Sequence, residues 1–450
     1  MLADRVRFRP TTGLIVESVL WALIMASVVH VVWWLLTKGY LPQPFIFFSF
    51  DTFMDWHNTA FWAHNPGTYD VWQSVYPPIS FVFLRIFSDG SCYTSGATLA
   101  RDCDLVGRVS IIGFWLLSGV VTYLALRRID RSTALLRATA LMLGLPMLYG
   151  LERGNLLIPC YVAFVLAHSR ILKSARLKWL AHAVAINFKP YLVLTLLPLI
   201  VQRRWRWFEG AGIATLVLYL VTYAMQGGGS PLDIATNTQT LAALQSSGSW
   251  SDIYYATSFS SMVRFINSDF PIAYYTGTRI LDWLNIFLPL LMRASQAAVV
   301  GCFVLSFLHP GSIRARYMTG AICAMILTSS SPSGYAQIFL LFFVFMEPWR
   351  GPTRITMLVT AYLISISYDY RIFDVVQPYF DSWLTGRSVQ MEVGVAIGQF
   401  VRPVLLLVIQ FGYVTLMVSS LLRSIRRKRA REARSVTLPP ASTGLVPSGG

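Results

Sequence analysis

Apolar runs recur along this chain from end to end, and short clusters of lysine and arginine punctuate them. A single water-facing globule cannot hide so much apolar surface: of 450 residues, 55% are hydrophobic, 14% aromatic and 13% charged. Mean hydropathy is +0.55. A bilayer resolves the problem, because a helix of roughly 20 apolar residues crosses the hydrocarbon with its backbone hydrogen bonds satisfied internally. The pattern predicts an all-α, polytopic integral membrane protein. A net charge of +16 would otherwise point to nucleic acid. Here the cations sit between apolar runs, where they act as topology signals, and a nucleic-acid partner is not expected.

The N-terminal stretch MLADRVRFRP (1–10) is basic, and the apolar run after it is too long for a signal-peptide core and lacks a persuasive cleavage site. It is expected to remain as the first span with the N-terminus in the cytoplasm. The clusters at 126–131, 169–178, 202–207, 309–316, 347–354 and 423–434 are then all assigned to the inner side. Each interval between clusters must hold an even number of crossings. Parity is met by about twelve transmembrane helices, near 13–36, 107–126, 135–151, 156–169, 178–188, 190–201, 208–225, 284–308, 316–330, 335–347, 355–368 and 394–421. Several are short, so two hairpins are expected to turn inside the membrane, where irregular backbone must be buried in protein or line a wet cavity.

Residues 1–434 read as one transmembrane domain, with periplasmic segments at 37–106, 226–283 and 369–393. The apolar stretch YPPISFVFLRIF (76–87) is too short to cross and is read as an interfacial or re-entrant helix. The tail 435–450, rich in Pro, Ser, Thr and Gly, is expected to be disordered and cytoplasmic. Cys160, Cys302 and Cys323 fall in apolar spans, whereas Cys92 and Cys103 share one polar external loop, so a periplasmic disulfide between them is expected. No cysteine–histidine grouping supports a metal site.

Two cations stand against the positive-inside tendency. Lys189 lies in AVAINFKPYLVL (183–194), at the turn of a short hairpin marked by Pro190. Glu152, Arg153, Gly154 and Asn155 form the tip of the preceding hairpin. A charge at membrane depth is by default a functional hypothesis, and these two cations suggest an anion site at the outer boundary. In the first external segment, Asp51 and Asp55 are four residues apart, which puts both carboxylates on one face of a helix. Carboxylates beside a phosphate site provide a general base, and cations stabilise a departing phosphate.

The order Asp51, GTYD (67–70), YPP (76–78), GN (154–155) and FKPY (188–191) resembles the polyprenyl-phosphate-sugar-dependent glycosyltransferases of the GT-C superfamily. Within it the chain is most similar to family eighty-seven, which includes mycobacterial mannosyltransferases. The resemblance covers about the first half of the chain. It implies a GT-C-type fold with periplasmic interfacial helices, and a catalytic base just after the first span, mapping to Asp51 rather than Asp55. The family's later Ser-Pro, aromatic and His pattern is matched by SSSPSGYAQ (329–337) without the His.

The resemblance implies an inverting, metal-independent and cofactor-free enzyme of the bacterial inner membrane. It would move a hexose or pentose such as mannose from a polyprenyl-phosphate donor to a glycolipid or polysaccharide acceptor at the periplasmic face. Lys189, Arg153, Asn155 and Arg264 are the candidates for the donor phosphate. His57, Tyr69, Tyr76, Tyr191 and Tyr335 are candidate substrate contacts, and His57 and His64 could assist proton transfer. Two alternatives share the polytopic form. A polysaccharide polymerase or ligase would use arginines and a His in large external loops, and a lipid-linked-glycan transporter would show inverted repeats with paired broken helices.

Overall fold

Helices that must cross about 30 Å of hydrocarbon need both length and an apolar surface, and the two properties separate in this chain. The computed structural model describes residues 10–45, 49–246, 262, 277–329, 334–376, 379–382 and 384–437. Arg264, Ser331, Pro332 and residues 438–450 lie outside them. Among the described residues five helices are long and apolar enough to span a membrane. They include α1 (Pro10–Lys38), α5 (Leu105–Arg127) and α11 (Trp205–Gln226), with Thr278–Leu308 and the first part of Gly398–Thr437. A sixth arises if α6 (Ala134–Met142) and α7 (Leu145–Arg153), bent by 41° at their junction, act as one.

By length and composition, five or six of the expected twelve crossings are met among the described residues. The remaining apolar segments are helical but short. They include α8 (Leu157–His168), α9 (Ala175–Phe188), the 3-10 turns Pro190–Leu196 running into α10 (Leu197–Val201), and the helices Ala315–Ser329, Gln337–Phe345 and Pro352–Ile364. At 1.5 Å per residue, nine to fifteen residues reach only about 14–22 Å. Their hydrophobicity has another cause. Every residue of Gln337–Phe345 is buried, as is nearly every residue of α8, and a helix apolar all round belongs in a core.

Three further helices, α2 (Met54–His64), α3 (Pro78–Phe87) and α4 (Ala97–Cys103), fold from the first segment read as external. α3 packs on α2, α9, α11 and α5, and its ten residues are too few to cross, as expected. Helix α12 (Pro231–Ser246) docks beside them, where Asn237 Nδ2 donates to the carbonyls of Tyr69 at 3.0 Å and Ser74 at 3.1 Å. The 369–393 segment joins this end through Asp369 N–H to Gln43 O at 3.2 Å. Helix α12 and the start of the 369–393 segment thus meet described residues of the first segment at one end of the molecule. Four basic clusters gather at the other end, where Gln202 Nε2 donates to Ile313 O at 3.0 Å and an Arg128 N–H donates to Arg170 O.

The chain is not wholly α-helical. β1 (Arg371–Val376) pairs antiparallel with β4 (Val393–Ala396), and β2 (Tyr379–Asp381) with β3 (Ser388–Gln390). The all-α expectation is corrected there. Ile372, Val375, Val389, Val393 and Val395 supply β-branched side chains that favour strands over helix. In the buried core, Arg137 binds Glu17 at 2.6 and 2.7 Å, and Tyr362 OH donates to the same carboxylate at 3.0 Å. This pairing ties α6, α1 and Pro352–Ile364 together and satisfies both buried charges.

Candidate functional site

The site forms where α7 stops. Gly154 caps α7 at φ +60°, a left-handed conformation that costs a residue with a Cβ about 1–2 kcal/mol. A Cβ there would also lie 3.1 Å from Phe53 Cα and 3.2 Å from Phe53 O, so the absent side chain lets the Asp51–Asp55 loop approach the cap. Phe53 itself adopts φ 63°, a strained conformation for a bulky residue. Its N–H is held by Glu152 O at 2.7 Å. This turn brings Asp51 and Asp55 to the last residue of α7.

Arg153 grips both carboxylates. Its Nε and Nη2 donate to Asp55 Oδ1 at 3.2 and 2.6 Å, and its Nη1 donates to Asp51 Oδ2 and, at 3.2 Å, to Asp51 O. Asn155, fully buried, donates from Nδ2 to Asp55 Oδ2 at 2.6 Å and accepts Leu157 N–H at 2.8 Å. Both oxygens of Asp55 are therefore occupied. Among the described residues Asp51 uses one oxygen, and its side chain is 32% exposed against 20% for Asp55. The expected assignment of Arg153 and Asn155 to donor phosphate differs from what their hydrogen bonds do here, which is to orient carboxylates.

Lys189 follows α9, where Pro190 ends the helical hydrogen bonding. Its Nζ lies 5.0 Å from the centre of the Tyr76 ring and 5.8 Å from that of Tyr335. No carboxylate ion-pairs with it among the described residues, although the charge of Asp55 acts on it. Tyr335 stacks tilted against Tyr149 at 5.6 Å, and Tyr191 lies among the same residues, within electrostatic reach of Tyr76 and Tyr335. The fold thus brings together Asp51, Asp55, Tyr76, Arg153, Asn155, Lys189, Tyr191 and Tyr335 from five separate stretches. Hairpin tips 153–155 and 189–190 line this cluster.

Two candidates turn elsewhere. Tyr69 donates its hydroxyl to Tyr76 O at 3.0 Å and fills the space over Gly229, so it positions the YPP segment. His57 is corrected from a substrate contact to a structural one. It has no solvent exposure, and its Nδ1 donates to Tyr93 Oη at 2.9 Å while Tyr93 donates to Asp104 Oδ2 at 2.7 Å. Burial pushes the His57 imidazole down to about 4, against the weaker opposing charge of Asp104. His64 likewise bonds Ser88 Oγ at 2.9 Å. Trp72 packs edge-on against Phe61 at 5.4 Å, and Arg279 is exposed on its helix.

Arg101 is the residue that sequence reasoning missed. Nearly buried on α4, it donates from Nη1 to Phe50 O and, at 3.5 Å, to Thr52 O, clamping the backbone on both sides of Asp51. The signal was available, since Arg101 is a third cation in a segment read as external. Cys92 and Cys103 are bonded, with Cα atoms 5.7 Å apart, which fastens α4 to the preceding turn. No group of three or more histidine, cysteine, aspartate or glutamate side chains arranged to hold a metal occurs among the described residues. Comparison of the chain with protein-family models, curated proteins and solved structures finds no match, so a functional reading rests on this cluster and on the motif resemblance.

Proposed function

We propose that the chain is an inverting glycosyltransferase that takes a monosaccharide from a polyprenyl-phosphate donor and places it on an acceptor hydroxyl at the end of the molecule carrying Asp51. The observation that carries this reading is the Asp51 carboxylate, aligned by Arg153 through one oxygen and, among the described residues, open at the other, in the same cluster as a lysine with no ion-pair partner among those residues. In the proposed step an Asp51 oxygen takes the proton of the acceptor hydroxyl. The acceptor oxygen bonds to the anomeric carbon from the face opposite the phosphate, the carbon–oxygen bond to phosphate breaks, and the phosphate leaves with the bonding pair. Lys189 offsets the charge that grows on it. The ring faces of Tyr76 and Tyr335 suit packing against a sugar.

Asp55 serves as the anchor that fixes the Arg153 fork, because a guanidinium held by two carboxylates has little freedom to turn. A transporter has no use for such an aligned base. Its usual paired broken helices are met by one bent pair among the described residues. The reading is tested by incubating purified protein with polyprenyl-phosphate mannose and a membrane-lipid acceptor extract, then following the labelled sugar. Transfer to a new product with release of polyprenyl phosphate is expected. Donor left intact across a panel of polyprenyl-phosphate hexoses and pentoses would reject it.

A further inference from the structure

The end of the molecule opposite Asp51 holds a cavity of about 720 Å³. Arg128, Arg170, Lys178, Arg204, Arg314 and Arg316 line it, and no carboxylate is among its lining residues. These cations come from four separate clusters and are brought together only by the fold. Glu347, next to the lining residue Met346, is already shared by Arg316 at 3.3 Å and Arg354 at 3.0 Å. Arg204 rests 5.0 Å over the Trp207 ring and Arg314 5.9 Å over Tyr317. Arg170, Lys178 and Arg314 have no ion-pair partner among the described residues, and the charges of Arg170 and Arg204 act on Lys178. His168 and His182 add two imidazoles with ring centres 4.7 Å apart, neither hydrogen-bonded to another protein group among the described residues.

Like charges held around one cavity repel, and an occupant with several negative charges relieves that repulsion. Most of the remaining lining is apolar, including Ala125, Ala167, Pro198, Leu199 and Phe343, with the hydroxyls of Ser169, Thr195 and Thr319 among it. The basic ends of α5 and α11 stand beside it, and both helices carry exposed leucine, isoleucine and valine along their length. We infer that this cavity holds the headgroup of an anionic phospholipid bearing two phosphates, with its acyl chains along the exposed apolar surface of the neighbouring helices. A basic pocket between membrane-helix ends is the setting that such headgroups favour, and the volume lies within the range of small-molecule sites. Occupancy has a mechanical consequence. Lys178 and His182 stand on α9, while Thr195, Pro198 and Leu199 stand on the returning leg, so the lipid braces both legs of the hairpin whose tip carries Lys189.

The inference does not depend on the glycosyltransferase reading and is tested by binding alone. Full-length protein in neutral detergent is titrated with tetraoleoyl cardiolipin or with phosphatidylglycerol, and bound lipid is counted by native mass spectrometry. One retained cardiolipin is expected, bound at least about ten-fold more tightly than phosphatidylglycerol. The triple variant Arg170→Gln, Lys178→Gln, Arg314→Gln should weaken it by about ten-fold or more. The double variant Arg426→Gln, Arg427→Gln removes exposed cations elsewhere and should leave binding within about two-fold. Equal affinity for the two lipids on unaltered protein would overturn the inference, whether or not the triple variant folds, as would equal losses in the two sets of variants. Sodium pyrophosphate raising the unfolding temperature as much as cardiolipin does would assign the cavity to a free phosphate ligand and overturn the lipid.

Discussion

Arg153 Nε and Nη2 both donate to a single oxygen of Asp55, at 3.2 and 2.6 Å, while the other Asp55 oxygen receives Asn155. That relationship fixes the direction of the guanidinium and leaves its Nη1 for Asp51. The proposed function depends on this division between Asp55, with both oxygens bonded, and Asp51, bonded through one among the described residues.

Removing Arg153 leaves two carboxylates side by side without their cation. Arg153→Ala should destabilise the protein by roughly 2–4 kcal/mol, below the full cost of orphaning a buried pair because Asp51 is partly exposed. Arg153→Lys restores the charge without the fork. It should recover much of the stability while sugar transfer stays at least about ten-fold down. Unfolding temperatures and turnover in the same preparations separate the two effects. Equal recovery of both by lysine would mean that charge alone matters.

Gly154→Ala tests the approach of the loop to α7. The left-handed backbone and the contact with Phe53 should together cost about 1–3 kcal/mol. The same change at Gly113, where a Cβ meets nothing within 4 Å, should be neutral or slightly stabilising. Thermal unfolding of the two variants makes the comparison, and a Gly154→Ala protein as stable as Gly113→Ala would show that the cap is not a constraint.

The buried His57 predicts an acid-sensitive fold. Its folded value of about 4 lies below the ordinary 6.5, so between these values the unfolded chain binds a proton that the native protein refuses. The contribution is fully present above pH 6.5 and falls away as pH drops to about 4, by about 3 kcal/mol in all. His57→Gln should flatten the decline of unfolding temperature over that window. An unchanged slope would place the acid sensitivity elsewhere.

The proposed function needs the Asp51 end outside the cell and the basic clusters inside, the sidedness that the positive-inside tendency predicts. Reporters fused after Ala100, Ser246 and Thr385 should read as periplasmic, and those after Ser174, Arg314 and Arg431 as cytoplasmic. A cytoplasmic reading after Ala100 would move the Asp51 cluster to the wrong face for a polyprenyl-phosphate sugar used outside the cell.

Much of the cluster was legible because charge is costly near a membrane. Arg153 and Lys189 stood out as cations at outward hairpin tips, and the four-residue spacing of Asp51 and Asp55 marked their loop. What could not be read was partnership. Arg153 meets Asp55 across 98 residues of chain, and nothing local says that its donors face carboxylates rather than phosphate. His57 was misassigned for the same reason, since its Tyr93 partner lies 36 residues away. The twelve-span count exceeds the five or six candidate helices because hydropathy cannot distinguish a lipid-facing helix from one sealed in protein, as Gln337–Phe345 is. The strands within 371–396 carry a β-branched signal that is weak beside the apolar helical runs on either side.

The most direct test of the central claim is the rate of sugar transfer in Asp51→Asn, measured with donor affinity on folded protein. Asparagine keeps the size of the side chain and can still accept from Arg153, but it cannot take a proton at neutral pH. Turnover should fall by on the order of 10²–10⁴ while donor binding changes little. Lys189→Ala should instead weaken donor binding together with turnover, through loss of a charge-assisted contact to phosphate. If Asp51→Asn transfers sugar within a few-fold of the unaltered protein, or if Asp55→Asn proves the more damaging change, Asp51 is not the base and the account is contradicted.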